Sequence, residues 1–329
     1  LINCSTVKCR AVFYWSMIVK RIRSKEEILD DSIGSFPRIV LPEGKSVFAT
    51  RATRLKQLAP ENPLESYLQL IALISEAQAK VFGKYSVPEL DEARIDSSQK
   101  YGMPALQPDT IERDAVWLDI LADMLEELIK AEGIPSAAIE IAESLSKQIK
   151  ESPAAIEAIA DRILADQDAD PAMAPIIMAA LQVYWMQMAI DLGEDNLPVV
   201  QKESGVCPCC GSLPVSSVVQ IGSNQGIRYL SCSLCSTSWH MVRVVCSTCQ
   251  STKDIGYYHL EGESEAIKAE ACPTCNTYRK IFYQEKDVYV DPIADDLATL
   301  HLDMLMSEEG IDRASGNPFL WQAAEESEE

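Results

Sequence analysis

Histidine is scarce in this 329-residue chain: His240, His259 and His301 are its three, and none stands at a Cys-x-x-His or His-Glu-x-x-His spacing. Catalytic zinc keeps an open position and usually draws on imidazole, so the sequence offers little for that chemistry. Also missing are a G-x-x-x-x-G-K-[ST] phosphate loop, a G-x-G-x-x-G turn and a G-x-S-x-G elbow, the usual signatures of nucleotide binding and of serine hydrolases. The chain therefore reads as a protein that is not an enzyme. Basic charge is short as well, with 29 Lys and Arg against 50 Asp and Glu and a formal net charge of −21. Such a surface repels phosphate backbones and anionic lipid, which leaves another protein as the expected partner, with neither nucleic acid binding nor membrane insertion. No cysteine lies between Cys9 and Cys207, yet nine of the eleven fall between Cys207 and Cys275. A disulfide scaffold would be a short secreted chain with cysteines along its whole length. Thiols gathered in one segment read instead as metal ligands.

The N-terminal region is set aside. Residues 11–19 form a short apolar run after Lys8 and Arg10, but Lys20, Arg21 and Arg23 follow it and no small-residue cleavage site appears, so it is not read as a signal peptide. The first methionine is Met17. Residues 1–16 read as an upstream extension of the reading frame, and Cys4 and Cys9 are left out of the chemistry.

From about Lys45 to Gly193 the pattern is helical. Asn62-Pro63-Leu64-Glu65 offers a cap, a first-turn proline and an early acid,. A helix is predicted from Asp109 to Gly133 on the spacing of Val116, Trp117, Ile120, Leu121, Met124, Leu125 and Leu128, with shorter ones over Ser136–Lys150 and Pro153–Ala165,. The nearly uncharged stretch Pro171–Leu192 is long enough to span a bilayer, but Gln182, Gln187 and Pro175 interrupt it and no basic cluster flanks it,. It reads as the central helix of a bundle, with its methionines as core filler. After Leu197-Pro198 come short β-type runs at Ser217–Ile221, Ile227–Leu230, Trp239–Val245, Tyr257–Leu260 and Arg279–Gln284,. A last helix is predicted from Asp291-Pro292 to a stop at Gly310, and residues 325–329 form an acidic tail.

Four Cys-x-x-Cys pairs carry the strongest signal: Cys207/Cys210, Cys232/Cys235, Cys246/Cys249 and Cys272/Cys275. Each such turn directs two thiolates to one point, and two turns supply the four soft ligands of a closed tetrahedral site. The pairs repeat, since Cys232-Ser-Leu-Cys-Ser-Thr237 is related to Cys272-Pro-Thr-Cys-Asn-Thr277. A tandem duplication predicts one metal on Cys207, Cys210, Cys232 and Cys235 and another on Cys246, Cys249, Cys272 and Cys275; interleaving stays open. Gly211 and Asn276, after the second ligand of their pairs, tolerate positive φ, whereas Ser236 and Gln250 suit it less,. Cys209 reads as a spare small residue. Zinc and a rubredoxin-type iron both suit four thiolates. Seven basic residues balance seven acids from Cys207 to Val290, so the counterion-release drive of a nucleic-acid-binding ribbon is missing. A zinc-ribbon adaptor in another assembly is the alternative reading from the residues alone, with a nucleic-acid-binding ribbon behind it.

The run Cys207–Gly211 with Val218–Gly222, Arg228-Tyr229-Leu230, Cys232–Cys235, Trp239-His240 and Val242-Arg243-Val244 resembles the formate dehydrogenase accessory proteins, the FdhE family. So do Ile267–Glu270, Tyr283–Asp287, Ala294–Leu300 and Asn317-Pro318-Phe319, and upstream Arg51-Ala52, Arg54-Leu55, Asn62-Pro63-Leu64 and Tyr67-Leu68. The resemblance runs from Phe36 to Trp321, and Cys209 departs from the family's pattern. It implies a cytoplasmic maturation factor that binds the catalytic subunit of respiratory formate dehydrogenase before export, with iron in two rubredoxin-type sites on the eight paired cysteines and zinc as the alternative. Self-association stays open. The expected fold is α+β: an N-terminal all-α bundle, two tandem rubredoxin-like or zinc-ribbon-like β units and a C-terminal helix. The expected divisions are 1–35, a poorly ordered N-terminal extension; 36–200, the helical bundle domain; 201–250, the first half of the metal region with its site over 207–235; 246–290, the second rubredoxin-like unit; and 291–329, the C-terminal helix and acidic tail.

Overall fold

Residues 36–198 and 203–321 are described by a computed structural model of the chain; the expected N-terminal extension and acidic tail lie outside them. From Lys45 to Leu192 the elements are all helices: α1 (Lys45–Leu58), α2 (Glu65–Val81), α3 (Glu92–Tyr101), α4 (Val116–Ile129), α5 (Ser136–Glu151), α6 (Pro153–Leu164) and α7 (Ala174–Leu192). The expected all-α stretch 36–200 also includes one short strand, Ile39–Val40, which pairs with Ser238 and Trp239. The periodicity explains the packing, since α4 buries Trp117, Ile120, Leu121, Met124, Leu125 and Leu128 on a single stripe,. Helix α7 is instead buried on almost every side. By length and composition α7 is apolar enough to cross a membrane, yet 83% of its apolar window is buried inside the fold. Its two glutamine amides find acceptors there: Gln182 Nε2 donates to Ser233 O at 2.7 Å and Gln187 Nε2 to Tyr85 O at 2.5 Å, although Gln187 Oε1 is buried without a partner among the described residues.

Two helices differ from expectation. The predicted start at Asp109 gives way to turns before Val116, because Arg94 holds the Thr110 carbonyl at 2.6 Å and Asp114 caps the Val116 N–H at 2.9 Å. The predicted C-terminal helix is two pieces, α8 (Ala294–Ala298) and α9 (Leu300–Glu308), broken at Thr299. Buried Lys280 takes the Asp296 and Thr299 carbonyls at 2.8 and 3.0 Å, and these oxygens would otherwise serve a continuous helical ladder.

The β runs assemble into one sheet of eight strands: β1 (Ile39–Val40), β2 (Pro214–Val219), β3 (Arg228–Cys232), β4 (Ser238–His240), β5 (Gly256–Tyr258), β6 (Ile267–Cys272), β7 (Thr277–Tyr283) and β8 (Asp312–Arg313). The order is β1-β4-β3-β2-β7-β6-β5, with β8 beside β7. Each unit is an antiparallel meander. The two are joined by the parallel pair β2–β7, with Ser217, Val218 and Val219 opposite Ile281, Phe282 and Tyr283. The C-terminal segment then returns to the bundle: Arg54 binds Asp295 at 2.5 Å and Asp287 at 2.6 Å, Asn62 Nδ2 donates to Ala298 O at 2.9 Å, and Tyr67 donates to the Phe319 carbonyl.

Candidate metal centres

Four copies of one turn position the cysteines. In three of them the N–H of the first cysteine donates to the carbonyl five residues on, Cys207 to Ser212, Cys246 to Ser251 and Cys232 to Thr237, at 2.9, 2.9 and 3.0 Å; Cys272 faces Thr277 in the sheet register. Closing so tight a loop requires a left-handed residue after the second cysteine. Gly211, Ser236, Gln250 and Asn276 all adopt it, with φ of 77°, 57°, 60° and 54°. The expected difference between the turns is therefore absent, because loop closure overrides the preferences of Ser236 and Gln250. Inside the turns, N–H groups point at sulfur: Leu234 and Cys235 to Cys232 Sγ at 3.4 Å, Thr248 and Cys249 to Cys246 Sγ at 3.4 and 3.5 Å.

The eight sulfurs fall into two groups along the chain. Cys207, Cys210, Cys232 and Cys235 form one, Cys246, Cys249, Cys272 and Cys275 the other, with the four sulfurs of each group within 4.8 Å of one another. Cross-pair distances are 3.6 Å for Cys207–Cys235, 3.4 Å for Cys210–Cys232, and 3.6 Å for both Cys246–Cys275 and Cys249–Cys272. A tetrahedral ion with sulfur at ~2.3 Å needs edges of about 3.8 Å, so a small movement of each sulfur admits zinc or iron equally. The donor set of four thiols fits either metal. Cys209 is not one of the four grouped sulfurs, but its thiol lies against that of Cys207; it is buried in the main core, with its carbonyl bonded by the Leu106 N–H at 2.8 Å.

The surroundings of the clusters differ. All four sulfur-bearing residues of the first lie within the core shared with the helices. In the second, Cys246 and Cys272 are buried, Cys275 is half-buried and Cys249 is exposed. Burial pushes the Cys207 and Cys235 thiols well up. Cys272 is also pushed up by burial, but the N–H groups of Cys275 and Thr274 outweigh this and bring it down to about 7. The histidines take ordinary roles: His240 Nδ1 receives Arg38 Nη1 at 2.7 Å, His301 lies 3.9 Å from Glu263, and His259 is exposed. None joins a cysteine cluster among the described residues.

Arg279 is a residue beside the second cluster that spacing did not flag. Its Nε donates to Ser247 Oγ, inside the Cys246–Cys249 turn, at 2.9 Å. An arginine in an alternating strand carries no signal of such a contact.

The comparisons agree with this architecture. Three family models match in succession: the N-terminal region of FdhE over residues 36–201, its central domain over 206–243 and its C-terminal domain over 244–320. An FdhE homolog of Cronobacter sakazakii is 45% identical over 287 residues, covering 87% of this chain and 91% of that protein. FdhE of Salmonella dublin is 43% identical over 286 residues, with 87% and 91% covered. The crystal structure of FdhE from Pseudomonas aeruginosa superposes with a TM-score of 0.77 at 36% identity, covering 87% of this chain and all of that one (100%). With its helical part, its sheet and both cysteine clusters all inside the matched regions, the chain belongs to the FdhE family.

Proposed function

We propose that this protein is an accessory factor in the maturation of respiratory formate dehydrogenase, acting in the cytoplasm on the catalytic subunit before export, and that it is not itself an enzyme. The observation that carries the reading is family likeness along residues 36–320 together with two four-cysteine clusters. Under this reading Cys207, Cys210, Cys232 and Cys235 hold one metal and Cys246, Cys249, Cys272 and Cys275 the second, as rubredoxin-type iron or as zinc. A bound ion staples turns whose β units are small, and iron would add sensitivity to oxidation. The helical part, residues 36–200, holds the client, while residues 201–290 carry the metals. The acidic surface, with a formal net charge of −21, favours a client face bearing basic groups.

The test is formate-to-acceptor activity in membranes of the native host, grown anaerobically after deletion of the gene. Loss of activity with the catalytic subunit still synthesised, restored by the intact gene, is the expected result. Unchanged activity in a host without a second homologous gene sinks the proposal. Capture of the catalytic subunit by tagged protein from cytoplasmic extract tests the location and the partner directly.

A further inference from the structure

Arg228, Lys280 and Arg313 are each paired with carboxylates, whereas Arg279, although opposite Glu270 in the β6–β7 register, bonds to none among the described residues. Arg228 pairs with Glu270 at 2.8 Å, and Tyr257 donates to the same carboxylate at 2.9 Å. Lys280 meets Asp303 at 2.7 Å and Asp296 at 3.6 Å. Arg313 meets the same two acids at 3.1 and 2.5 Å. Arg279, only 5% exposed, bonds to neutral acceptors instead: Ser247 Oγ, the Pro214 carbonyl and Ser315 Oγ. Burial, then the positive charges of Arg228 and Arg313, lower its pKa to about 9, while Asp296 and Cys246 act against them. A buried guanidinium without a carboxylate is costly unless another negative charge is close by.

That charge is available one residue from its hydrogen bond. Ser247 follows Cys246, and Arg279, Cys246, Ser247, Glu270 and Cys272 line one small enclosed space. A divalent cation held by four thiolates carries net negative charge, whereas four thiols carry none. We infer that Arg279 is the buried counter-charge of the second cluster, a positioning residue that favours four thiolates around a divalent ion and braces the Cys246–Cys249 turn through Ser247. The inference rests on the reading of that cluster as a metal site. The first cluster is braced by neutral groups, Gln182 at the Ser233 carbonyl and the Leu106 N–H at the Cys209 carbonyl, at 2.7 and 2.8 Å. The effect of Arg279 therefore falls on one of the two ions.

The experiment uses the full chain loaded with zinc, its Arg279→Met and Arg279→Lys variants, and competition by a chromophoric chelator. Alkylation mapped by mass spectrometry identifies which cysteines are released, and thermal midpoints are taken with and without metal. In Arg279→Met the ion of Cys246, Cys249, Cys272 and Cys275 should bind ~10–100-fold more weakly, the range for loss of an outer-shell partner. The first ion should be unaffected, and Arg279→Lys should retain most of the affinity. The midpoint gap between loaded and metal-free protein should also shrink in Arg279→Met, because the uncompensated charge is removed from the metal-free state. A purely structural brace would lower both midpoints together. The inference is overturned if Arg279→Met holds both ions as tightly as the parent, if Arg279→Lys is as weak as Arg279→Met, or if Arg279→Met fails to fold in either state. A parent chain that binds fewer than two zinc ions overturns the metal reading itself, and the inference with it.

Discussion

Cys210 and Cys249 close the same turn in their respective clusters, yet Cys210 is sealed from solvent and Cys249 is exposed. The cause is the bundle. Gly211, next to Cys210, lies against Gln107 and Pro104, whose carbons would come within 3.3–3.5 Å of a β-carbon there. Metal-loaded protein treated with a chelator and iodoacetamide should therefore be alkylated at Cys249 and Cys275 well before any cysteine of the first cluster. A time course read by mass spectrometry checks the order, and simultaneous labelling of both clusters would contradict it.

The sulfur grouping predicts separable metals. Cys232→Ala should leave one metal equivalent per chain, held by the second cluster, and Cys272→Ala should leave the other. Structural zinc contributes about 10–16 kcal/mol of apparent binding energy to the small domains it folds, so each substitution should also lower the thermal midpoint sharply. Elemental analysis of purified variants decides it. Loss of both metals from either substitution would show that loading of one cluster depends on the other.

Gln182 links the central helix to the first cluster, since its amide holds the Ser233 carbonyl and also accepts from Gln78 at 3.1 Å. Gln182→Leu leaves buried Gln78 and half-buried Ser233 each short of a bond, and the loss at a buried group costs about 1–3 kcal/mol. Denaturant unfolding should show a loss in that range, with faster metal release from Cys207, Cys210, Cys232 and Cys235. Release that is faster at the second cluster would point to a global effect instead.

Burial, then the charge of Arg38, lowers the pKa of His240 to about 4, against about 6.5 in an unfolded chain. Between these values the unfolded chain binds more protons, so stability falls as pH drops from about 6.5 towards about 4. Below both values the loss is complete. His240→Gln should flatten this part of the pH profile relative to the parent, while acid loss of metal affects both proteins alike. Unfolding midpoints at pH 7.5 and pH 5 provide the comparison, and equal slopes would remove His240 as a cause.

Local chemistry explains what the sequence disclosed. Apolar residues at helical spacing announced α4, a long uncharged run announced α7, and the Cys-x-x-Cys turns announced four converging sulfur pairs, because each is set by neighbouring residues; the grouping of the pairs rested on their tandem repeat. Strand β6, Ile267–Cys272, escaped: Lys268, Ala269, Glu270 and Ala271 favour a helix, and the segment is a strand because it pairs with β7 along its length and buries Glu270 against Arg228,. Helix α3 escaped for the opposite reason. It has a good cap at Asp91 and a left-handed Gly102, but it buries only Ser98 and so lacks an apolar stripe. The break at Thr299 and the placement of Arg279 depend on partners far away in sequence, which no local pattern records.

The parallel pairing of β2 with β7 has a consequence for anyone dividing the molecule. A cut between the cysteine units would bare the backbone N–H and C=O groups along β2 on one fragment and β7 on the other. Buried apolar side chains such as Val218 and Phe282 lie on those strands. Open strand margins of that kind recruit other chains, so isolated halves should clump even with their metals in place, and only the intact sheet keeps the β2–β7 seam occupied.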